Sequence, residues 1–593
     1  ASVVGTEFEV PILQEAEHLD EEALVSALEE AGEARLVVDA PDSRYRFAHS
    51  LVRHTLYEGL SAARRVQLHR RIGQAIETVY AGRLDEQMPA LAHHWSRAAA
   101  PRAETDRAVS YATRAGDLAQ AQLAHHEAVS YYRQALEMME VDGGDEAQEA
   151  RLLVSLGEAQ HRMGDAGYRA TVLEAARLAE HLGDAECLAR AALAGYRGLW
   201  TMSLGVDRER VAALEAALKA REGRDDLVRA RLLANLAVEL MFDADRHRRL
   251  ALSDEALAVA RRLGDRPTLG RVLLSRIAAI WEPGALAQRR AHVSELLAVG
   301  EDLGDPFVKV WAELYGFETA MESGDVDEAD RLLARARRTA LEVERALRWF
   351  AEFPRAGRAL FAGRLEEADV LAREALEIGR TTQPLHEYRI VYGIQRFEIR
   401  VEQDRVEELL PNLVEAAKTG HPESLAMLAQ TYCELGRGED ARAVFDPLMA
   451  VLPDLPPDPN WILTVARTAS VCAELGDRAA AARLEQLLIP YADRIVGNGI
   501  VWIGSVAHYL GVLATTLGHF DEAEAHLIAG DIAHERLGAP GWRVRTRLEW
   551  ARLLLTRREP GDAERARLLL DQALATARDL GLSNVERRAA ALL

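Results

Sequence analysis

The sequence predicts an all-α fold, a solenoid of stacked helical hairpins, with a small module of helices and short strands at its amino end. Ala, Leu, Arg and Glu dominate the composition, and aromatic residues make up only 6% of the 593 residues, as is typical of helical proteins. A glycine–alanine pattern recurs through most of the chain. Helix pairs repeated at a fixed period are the signature of an α-solenoid.

The charge balance excludes several classes of partner. The chain carries 72 basic and 94 acidic side chains, a formal charge of −22. Nucleic acids and anionic membranes repel such a field, so we expect neither as a direct partner. Cys187, Cys433 and Cys472 are far apart without a CxxC spacing, which excludes a cysteine zinc cluster and a disulfide scaffold. Together with the absence of a signal-peptide pattern in residues 1–20, this predicts a cytoplasmic protein.

Residues 1–80 differ from the rest of the chain and predict a separate domain. The predicted order is a helix capped by Asp20, a strand at Arg35–Asp39, a turn at 41–43, a strand at Tyr45–Phe47 and a long amphipathic helix from about His49 to Thr78. That order is the layout of a small α+β winged helix. The apolar side of the last helix is predicted to comprise Leu51, Leu56, Leu60, Leu68, Ile72 and Ile76.

From residue 86 to residue 593 the pattern is helical and repeats. The clearest unit has a glycine, an alanine five residues later and a small or apolar residue seven further on; examples begin at Gly324, Gly363, Gly436 and Gly476, with a partial match at Gly518. The glycine allows a tight turn between two antiparallel helices, and the alanine lets them approach closely. The spacing predicts about eleven units. A Pro-rich loop at 453–459 is either a long loop between repeats or a joint between two solenoid segments.

A second pattern marks the ends of units. Leu182–Asp184, Leu263–Asp265 and Leu303–Asp305 each have the sequence Leu-Gly-Asp after a helical segment, and Leu580-Gly581 is similar. A glycine there predicts a helix C-terminus, and the aspartate predicts the N-cap of the following helix.

The repeats resemble the tetratricopeptide repeat (TPR) family. The segment His126–Leu136 contains the small–aromatic–small run of the second helix of that motif, at Ala128, Tyr132, Ala135 and Leu136. The resemblance implies a TPR-like superhelix, in which each unit is longer than the usual 34 residues. A protein or small-molecule effector is expected on its concave face.

Residues 1–140 also resemble part of the bacterial STAND-type signalling ATPases, regulators of the LuxR/MalT-like or cyclase-associated kind. The segments that carry this resemblance are Val4–Phe8, Tyr45–His49, Leu51–Arg53, Tyr57-Glu58, Arg64–His69, Leu91–Trp95 and Ala128–Leu136. The resemblance implies an ATPase core that binds ATP or ADP, a winged helix and a TPR superhelix in one polypeptide. The phosphate-binding loop GxxxxGK[ST] does not occur in this sequence. We therefore expect a C-terminal part of a larger regulator, without its ATPase core.

The same resemblance singles out His49 and Arg53. In STAND proteins a winged-helix histidine can contact the phosphates of the nucleotide, and His49 lies at the predicted strand-to-helix junction. Arg53, one turn later, is expected to face the same way. The residues leave an alternative open, in which His49 caps its helix or packs against the core of the module.

Other candidate sites have weaker support. The adjacent histidines His93-His94 and His125-His126 point to different sides of a helix, so we expect no metal site. Residues 1–80 carry 8 basic and 14 acidic side chains, a net charge of −6, which excludes DNA recognition by this module. The uncharged stretch 495–518 is interpreted as a buried helix and not as a membrane span. The scattered tryptophans Trp200, Trp281, Trp311, Trp349, Trp461 and Trp502 are interpreted mainly as core residues.

These observations predict a non-catalytic regulatory chain. The leading hypothesis is a sensor and protein-interaction segment that controls the ATPase core of its own polypeptide. The alternative is a freestanding TPR scaffold that binds peptide segments of partner proteins. The sequence contains no GxSxG and no motif partner for any cysteine, so an enzyme is disfavoured.

Overall fold

The chain folds into two units of contacting helices, residues 1–195 and residues 196–593. The computed structural model describes residues 1–41, 44–98, 102–142, 144–165, 167–194, 205–343, 345–382 and 385–593. Each unit has its own hydrophobic clusters.

The first unit begins with a small α+β module, as predicted. Its elements are β1 (Glu7–Glu9), α1 (Val10–Glu17), α2 (Glu21–Glu33), β2 (Val37–Ala40), β3 (Arg44–Phe47) and α3 (Ser50–Glu58). The three strands form an antiparallel sheet in the order β1-β3-β2, with Val37 opposite Phe47 and Glu7 opposite Arg46. Its core comprises Phe8, Leu13, Leu24, Leu28, Val37 and Phe47. Strand β1 and helix α1 were not predicted from the sequence.

The long helix predicted from His49 to Thr78 is two helices. Helix α3 ends at Glu58, and α4 (Ala62–Val79) begins after Ser61, whose hydroxyl accepts the backbone N–H of Arg64. The prediction of one apolar side was wrong in its first half, because Leu51 is 71% exposed and Leu56 is 49% exposed. The apolar pattern continues in the sequence across the break between α3 and α4. Of the two helices only α4 buries its apolar side, through Ile72 and Ile76.

The rest of the first unit consists of packed helices. They are α5 (Met88–Ala98), α6 (Arg102–Ala121), α7 (His125–Asp142), α8 (Glu146–Met163), α9 (Tyr168–Leu182) and α10 (Ala185–Ala194). The TPR-like run lies on α7, where Ala128, Tyr132 and Ala135 are buried. A Cβ atom at Gly116 of α6 would overlap the Tyr132 ring. The small residues therefore bring α6 and α7 together, as the pattern predicted.

The second unit continues the hairpins. Its helices are α11 (Arg208–Ala220), α12 (Leu227–Glu239), α13 (Arg246–Leu263), α14 (Arg266–Ala279), α15 (Leu286–Leu303), α16 (Pro306–Ser323), α17 (Val326–Val343), α18 (Arg345–Phe361), α19 (Leu365–Thr382), α20 (Leu385–Glu402), α21 (Leu410–Ala417), α22 (Pro422–Glu434), α23 (Gly438–Val451), α24 (Trp461–Leu475), α25 (Arg478–Leu488), α26 (Val506–Leu517), α27 (Phe520–Arg536), α28 (Pro540–Arg557), α29 (Asp562–Leu580) and α30 (Ser583–Ala590). The first helices of successive hairpins contact one another from α12 to α18 and from α22 to α30.

The turn glycines and the following alanines are where the repeat pattern placed them. Gly324, Gly363, Gly436, Gly476 and Gly518 all have positive φ, between 66° and 79°, in the left-handed region that favours glycine. The alanines five residues later, at 329, 368, 441, 481 and 523, are buried. Asp184, Asp265 and Asp305 cap the next helices through their carboxylates. The TPR-like solenoid is therefore confirmed.

The stretch 495–518 is not one buried helix, and that prediction was wrong. Its first part is a β-hairpin of β4 (Ile495–Gly497) and β5 (Trp502–Ser505), and only α26 is helical. The side-chain oxygen of Asn498 accepts the N–H groups of Ile500 and Val501, which turns the chain between the strands. The hairpin is buried against α16, α18 and α24. Among the described residues, no helix is both long and apolar enough to cross a bilayer.

One large hydrophobic cluster extends from Ala230 to Ala539. It includes residues on both sides of the Pro-rich loop at 453–459, such as Leu452 and Trp461. The predicted core tryptophans Trp281, Trp311, Trp349, Trp461 and Trp502 are buried. Trp200 lies outside the described residues.

Candidate functional site

His49 and Arg53 lie at the start of α3. His49 is the N-cap residue, but its side chain makes no capping hydrogen bond and is exposed. Arg53 is half-buried, and its Nη1 donates a long hydrogen bond of 3.4 Å to the carbonyl of Ser2. Its Nε is buried without a partner. Of the two residues predicted from the sequence, His49 is therefore exposed to solvent, and Arg53 is partly packed against the N-terminal residues of the module.

A second group of residues lies around His69 of α4. The Tyr57 hydroxyl is 3.0 Å from His69 Nε2, and His69 Nδ1 is 2.9 Å from His94 Nδ1. The His93 ring centre is 5.6 Å from that of His69, and the guanidinium of Arg65 lies over the Tyr57 ring at 5.3 Å. We call Arg53, Tyr57, Arg65, His69, His93 and Arg97 the basic cluster. Sequence reasoning missed it because its residues come from three helices.

Burial and neighbouring cations lower the pKa values of these histidines. Burial is the main cause for His69, whose pKa falls to about 4, and the charges of His93, Arg97 and Arg65 add to it. Burial also lowers the pKa of His94 to about 3. The pKa of His93 is lowered by burial and by the charges of Arg97 and Arg53. In the described part of the chain no His, Cys, Asp and Glu group has the arrangement of a metal site.

A cavity of about 70 Å³ lies inside the second unit, where the first helices of its last hairpins meet. Its walls come from α20, α22, α24, α26, α28 and α30, with Ile503 of β5. Its charged lining residues are Glu398, Glu402, Glu434, Glu474 and Glu549, with Arg467, Arg545, Arg552 and Arg588. We call this the inner cavity.

Arg467 is the most buried cation of the inner cavity, with only 2% of its side chain exposed. It donates to Glu423 at 2.7 Å, to Gln430 at 3.0 Å and to Glu398. Such paired, desolvated charges fix geometry more than they add net stability.

The other arginines join distant parts of the unit. Arg545 contacts Glu402 at 2.7 Å, although 143 residues separate them. Arg587 of α30 donates two hydrogen bonds of 2.9 Å to Asp404. Arg588 contacts Glu549 at 3.2 Å and also Glu474. These ion pairs hold α28 and α30 against α20, α22 and α24, which all contribute to the walls of the inner cavity.

The inner cavity therefore has a structural role in this geometry. Each of its four arginines already has a glutamate partner, so a ligand would have to displace an ion pair. The hairpin β4–β5 also fills interior space, since Gln395 donates to the carbonyls of Phe353 and Ile500.

The fold is a TPR-like helical solenoid with a small N-terminal α+β module. This architecture is suited to protein interaction. No protein-family model and no curated protein matches the chain.

Solved structures are similar in fold. One is the APC/C heterotetramer Cut9–Hcn1, with 14% identity and a TM-score of 0.44 over 90% of this chain and 98% of that chain. Another is a signal transduction ATPase with numerous domains (STAND) with a tetratricopeptide repeat sensor from Pyrococcus horikoshii, with 11% identity and a TM-score of 0.29; the match covers 83% of this chain and 61% of that one. Yeast Tom70 has 15% identity and a TM-score of 0.23 over 82% of this chain and 96% of its own. At these values no functional property passes from them to this chain.

Proposed function

We propose that this chain is the non-catalytic regulatory and interaction segment of a bacterial STAND-type signalling ATPase. Its N-terminal module, a winged helix in this proposal, contacts an ATPase core of the same polypeptide. Its solenoid binds a protein or small-molecule effector. The core, and not this segment, binds ATP or ADP.

The exposed side of α3 is the observation that carries the proposal. The helix contributes no buried side chain to the module, and it exposes Leu51 and Leu56. Exposed apolar groups on a short helix favour burial against another protein surface. His49 and Arg53, at the start of the same helix, would then face the phosphates of the nucleotide held by the core.

Regulation requires that an effector bind two states of the protein with different affinity. In the resting state the module and solenoid hold the ADP-bound core, and effector binding favours an open state that exchanges ATP. The effector's free energy of binding must differ between the two states, because equal binding shifts no equilibrium.

The test measures ATP hydrolysis by the protein encoded by the complete gene, as wild type and as Leu51→Asp and Leu56→Asp. We expect each variant to raise basal hydrolysis about fivefold or more, since the resting contact is lost. Leu568→Asp is the matched control, because Leu568 is also exposed (59%) but lies in the solenoid. Equal hydrolysis in all four proteins, or a gene that encodes no phosphate-binding loop, contradicts the proposal.

A further inference from the structure

Helix α30 is anchored differently from the helix against which it packs. It is two turns long, and the apolar side chains that it buries are those of Val585 and Ala589. The apolar side chains that α28 buries are those of Val544, Leu548, Ala551, Leu553 and Leu554. A short helix with so little buried apolar surface is marginally stable by itself. The position of α30 therefore depends on its polar contacts.

Some of these polar contacts are open to solvent or incompletely formed. Arg587 pairs with Asp404 through two hydrogen bonds of 2.9 Å, but 47% of the Arg587 side chain and 32% of the Asp404 side chain are exposed. Exposed ion pairs are weak and are screened by salt. Asn584 donates to Glu434 at 2.7 Å, although among the described residues its Oδ1 is buried without a hydrogen-bond partner. Release of the helix would return this oxygen to water, which removes the cost of its burial.

Arg588 connects α30 to the inner cavity. Its guanidinium contacts Glu549 at 3.2 Å, Glu434 at 3.7 Å and also Glu474. All four residues line the inner cavity. Because Arg588 is the lining residue that α30 contributes, detachment of α30 removes one cation from between three carboxylates and opens the cavity on that side.

We propose that α30 is a strap, which detaches from α20, α22, α24 and α28 while the rest of the second unit stays folded. Local openings of this kind occur in the parts of a protein that bury the fewest apolar groups. Ion pairs favour the closed form, so the population of the open form rises with ionic strength. The inference goes beyond the proposed function, since it concerns a movement within the second unit and requires no ATPase core.

Two cysteines of the second unit distinguish this movement from global unfolding. Cys433 of α22 is half-buried and lines the inner cavity; burial raises the pKa of its thiol to about 12, and the charges of Glu474 and Glu434 add to this effect. Cys472 of α24 is fully buried, and its thiol donates to the carbonyl of Asp477 at 3.2 Å. Alkylation requires the thiolate. Cys433 should therefore react when α30 is open, whereas Cys472 should react only when the unit unfolds.

The test is alkylation of the native 593-residue chain by iodoacetamide, an uncharged reagent, with the rate at each cysteine measured by mass spectrometry. We expect Cys433 to react at least about tenfold faster than Cys472. Arg587→Ala should raise the rate at Cys433 about fivefold, because an exposed ion pair of the closed form is lost, and should leave Cys472 unchanged. Among the described residues Arg587 does not line the cavity, so its variant does not widen it. Raising NaCl from about 0.05 M to about 0.5 M should accelerate the reaction of Cys433 more in the wild type than in this variant.

Asp404→Asn is the matched second variant. Asp404 has φ 57°, a conformation that asparagine tolerates, so the turn is expected to keep its shape. The variant should raise the rate at Cys433 as Arg587→Ala does. The double variant should add little, because both substitutions remove the same ion pair. Arg380→Ala is the control, since Arg380 forms an exposed ion pair with Glu377 at 3.2 Å on α19.

Each possible result decides the proposal. Equal rates at Cys433 and Cys472, no acceleration by Arg587→Ala and Asp404→Asn, or the same acceleration by Arg380→Ala would overturn it. The assay measures neither nucleotide binding nor hydrolysis, so its outcome is independent of the hydrolysis test of the proposed function.

Discussion

The basic cluster of the first unit and the inner cavity of the second contain the same kinds of residue but differ in their carboxylates. In the inner cavity every arginine has a glutamate within 3.2 Å, such as Glu423 for Arg467 and Glu549 for Arg588. In the basic cluster, as far as the structure describes it, Arg53 and Arg97 have none. The comparison separates arginines that are paired with carboxylates inside the fold from arginines that have no carboxylate partner among the described residues.

This difference has a physical cause. A buried cation without a partner is costly, so Arg467 can be nearly inaccessible only because Glu398 and Glu423 accompany it. Arg97 is exposed, and water solvates its charge. Arg97 therefore needs no carboxylate partner, whereas Arg467 does.

The largest effect is expected from Arg467→Ala. The substitution leaves Glu398 and Glu423 buried without their cation, and breaking a buried pair in this way costs about 3–5 kcal/mol. We expect a large decrease in the urea midpoint of the second unit, measured by circular dichroism. Arg97→Ala should change stability by at most about 0.5 kcal/mol. Similar losses for both variants would remove the distinction between the two clusters.

The hairpin architecture could be predicted from the sequence because it depends on local requirements. A left-handed turn favours glycine, and close helix packing needs a small residue such as alanine. Gly476 and Ala481 therefore identify their hairpin without information on any other part of the chain. The strands β4 and β5 could not be predicted in the same way. A short apolar run fits a buried helix and a buried strand equally well, and the Asn498-Gly499 pair was the only hairpin signal.

The candidate site was only partly predictable. Arg53 was identified through a resemblance, but His93 and Arg97 were not, because their partner His69 lies on another helix. Considering His93-His94 alone gave the expectation of no metal site and missed the contact of His94 with His69. The usable signal was the four-residue spacing of basic and aromatic residues in three neighbouring segments. The inner cavity required tertiary information, because two paired residues of its lining, Arg545 and Glu402, are 143 residues apart in the sequence.

Acid should destabilise both units, which is a property they share. His508 and His534 share Thr546 as a hydrogen-bond partner at 3.0 and 3.1 Å, and burial lowers the pKa of each to about 3. Their folded-state pKa values lie below the unfolded value of about 6.5, so stability is present above that pH and is lost as the pH falls. We expect each of these two histidines to lower the free energy of unfolding by about 2 kcal/mol at pH 5. A similar loss is expected in the first unit from His69 and His94.

The variant His534→Gln isolates this effect in the second unit. A glutamine oxygen can still accept the backbone N–H of Ser505, which His534 Nε2 accepts at 2.8 Å. Between about pH 7 and pH 5, we expect the free energy of unfolding to fall by about 2 kcal/mol less in the variant than in the wild type. Asp458 acts in the opposite sense, because burial raises its pKa to about 6, but it is present in both proteins. An unchanged pH dependence, or the same change in the exposed control His126→Gln, would contradict the assignment.

A smaller effect tests whether the interior of the second unit is filled. Gly357 of α18 lies against the carbonyl oxygen of Ile500 at the tip of β4–β5, and a Cβ atom there would overlap it. Gly357→Ala should destabilise the unit by about 1–3 kcal/mol through overpacking. A Cβ atom at Gly393 of α20 would have no other atom within 4 Å, so Gly393→Ala should stabilise by about 0.5–1 kcal/mol through helix propensity. Opposite signs in urea unfolding check the packing, and stabilisation by both variants would refute it.

The smallest effect compares a turn of the first unit with those of the second. Leu123, between α6 and α7, has φ 62° and is 70% exposed, where the second unit uses glycines such as Gly436. Leu123→Gly relieves a left-handed strain of about 1–2 kcal/mol but adds about 0.5–1 kcal/mol of unfolded-chain entropy. We therefore expect a net stabilisation of about 0.5 kcal/mol in the first unit, measured by thermal unfolding. Gly436→Ala, which has open space around it, should cost about 1 kcal/mol, and a stabilising Gly436→Ala would show that backbone conformation does not distinguish these turns.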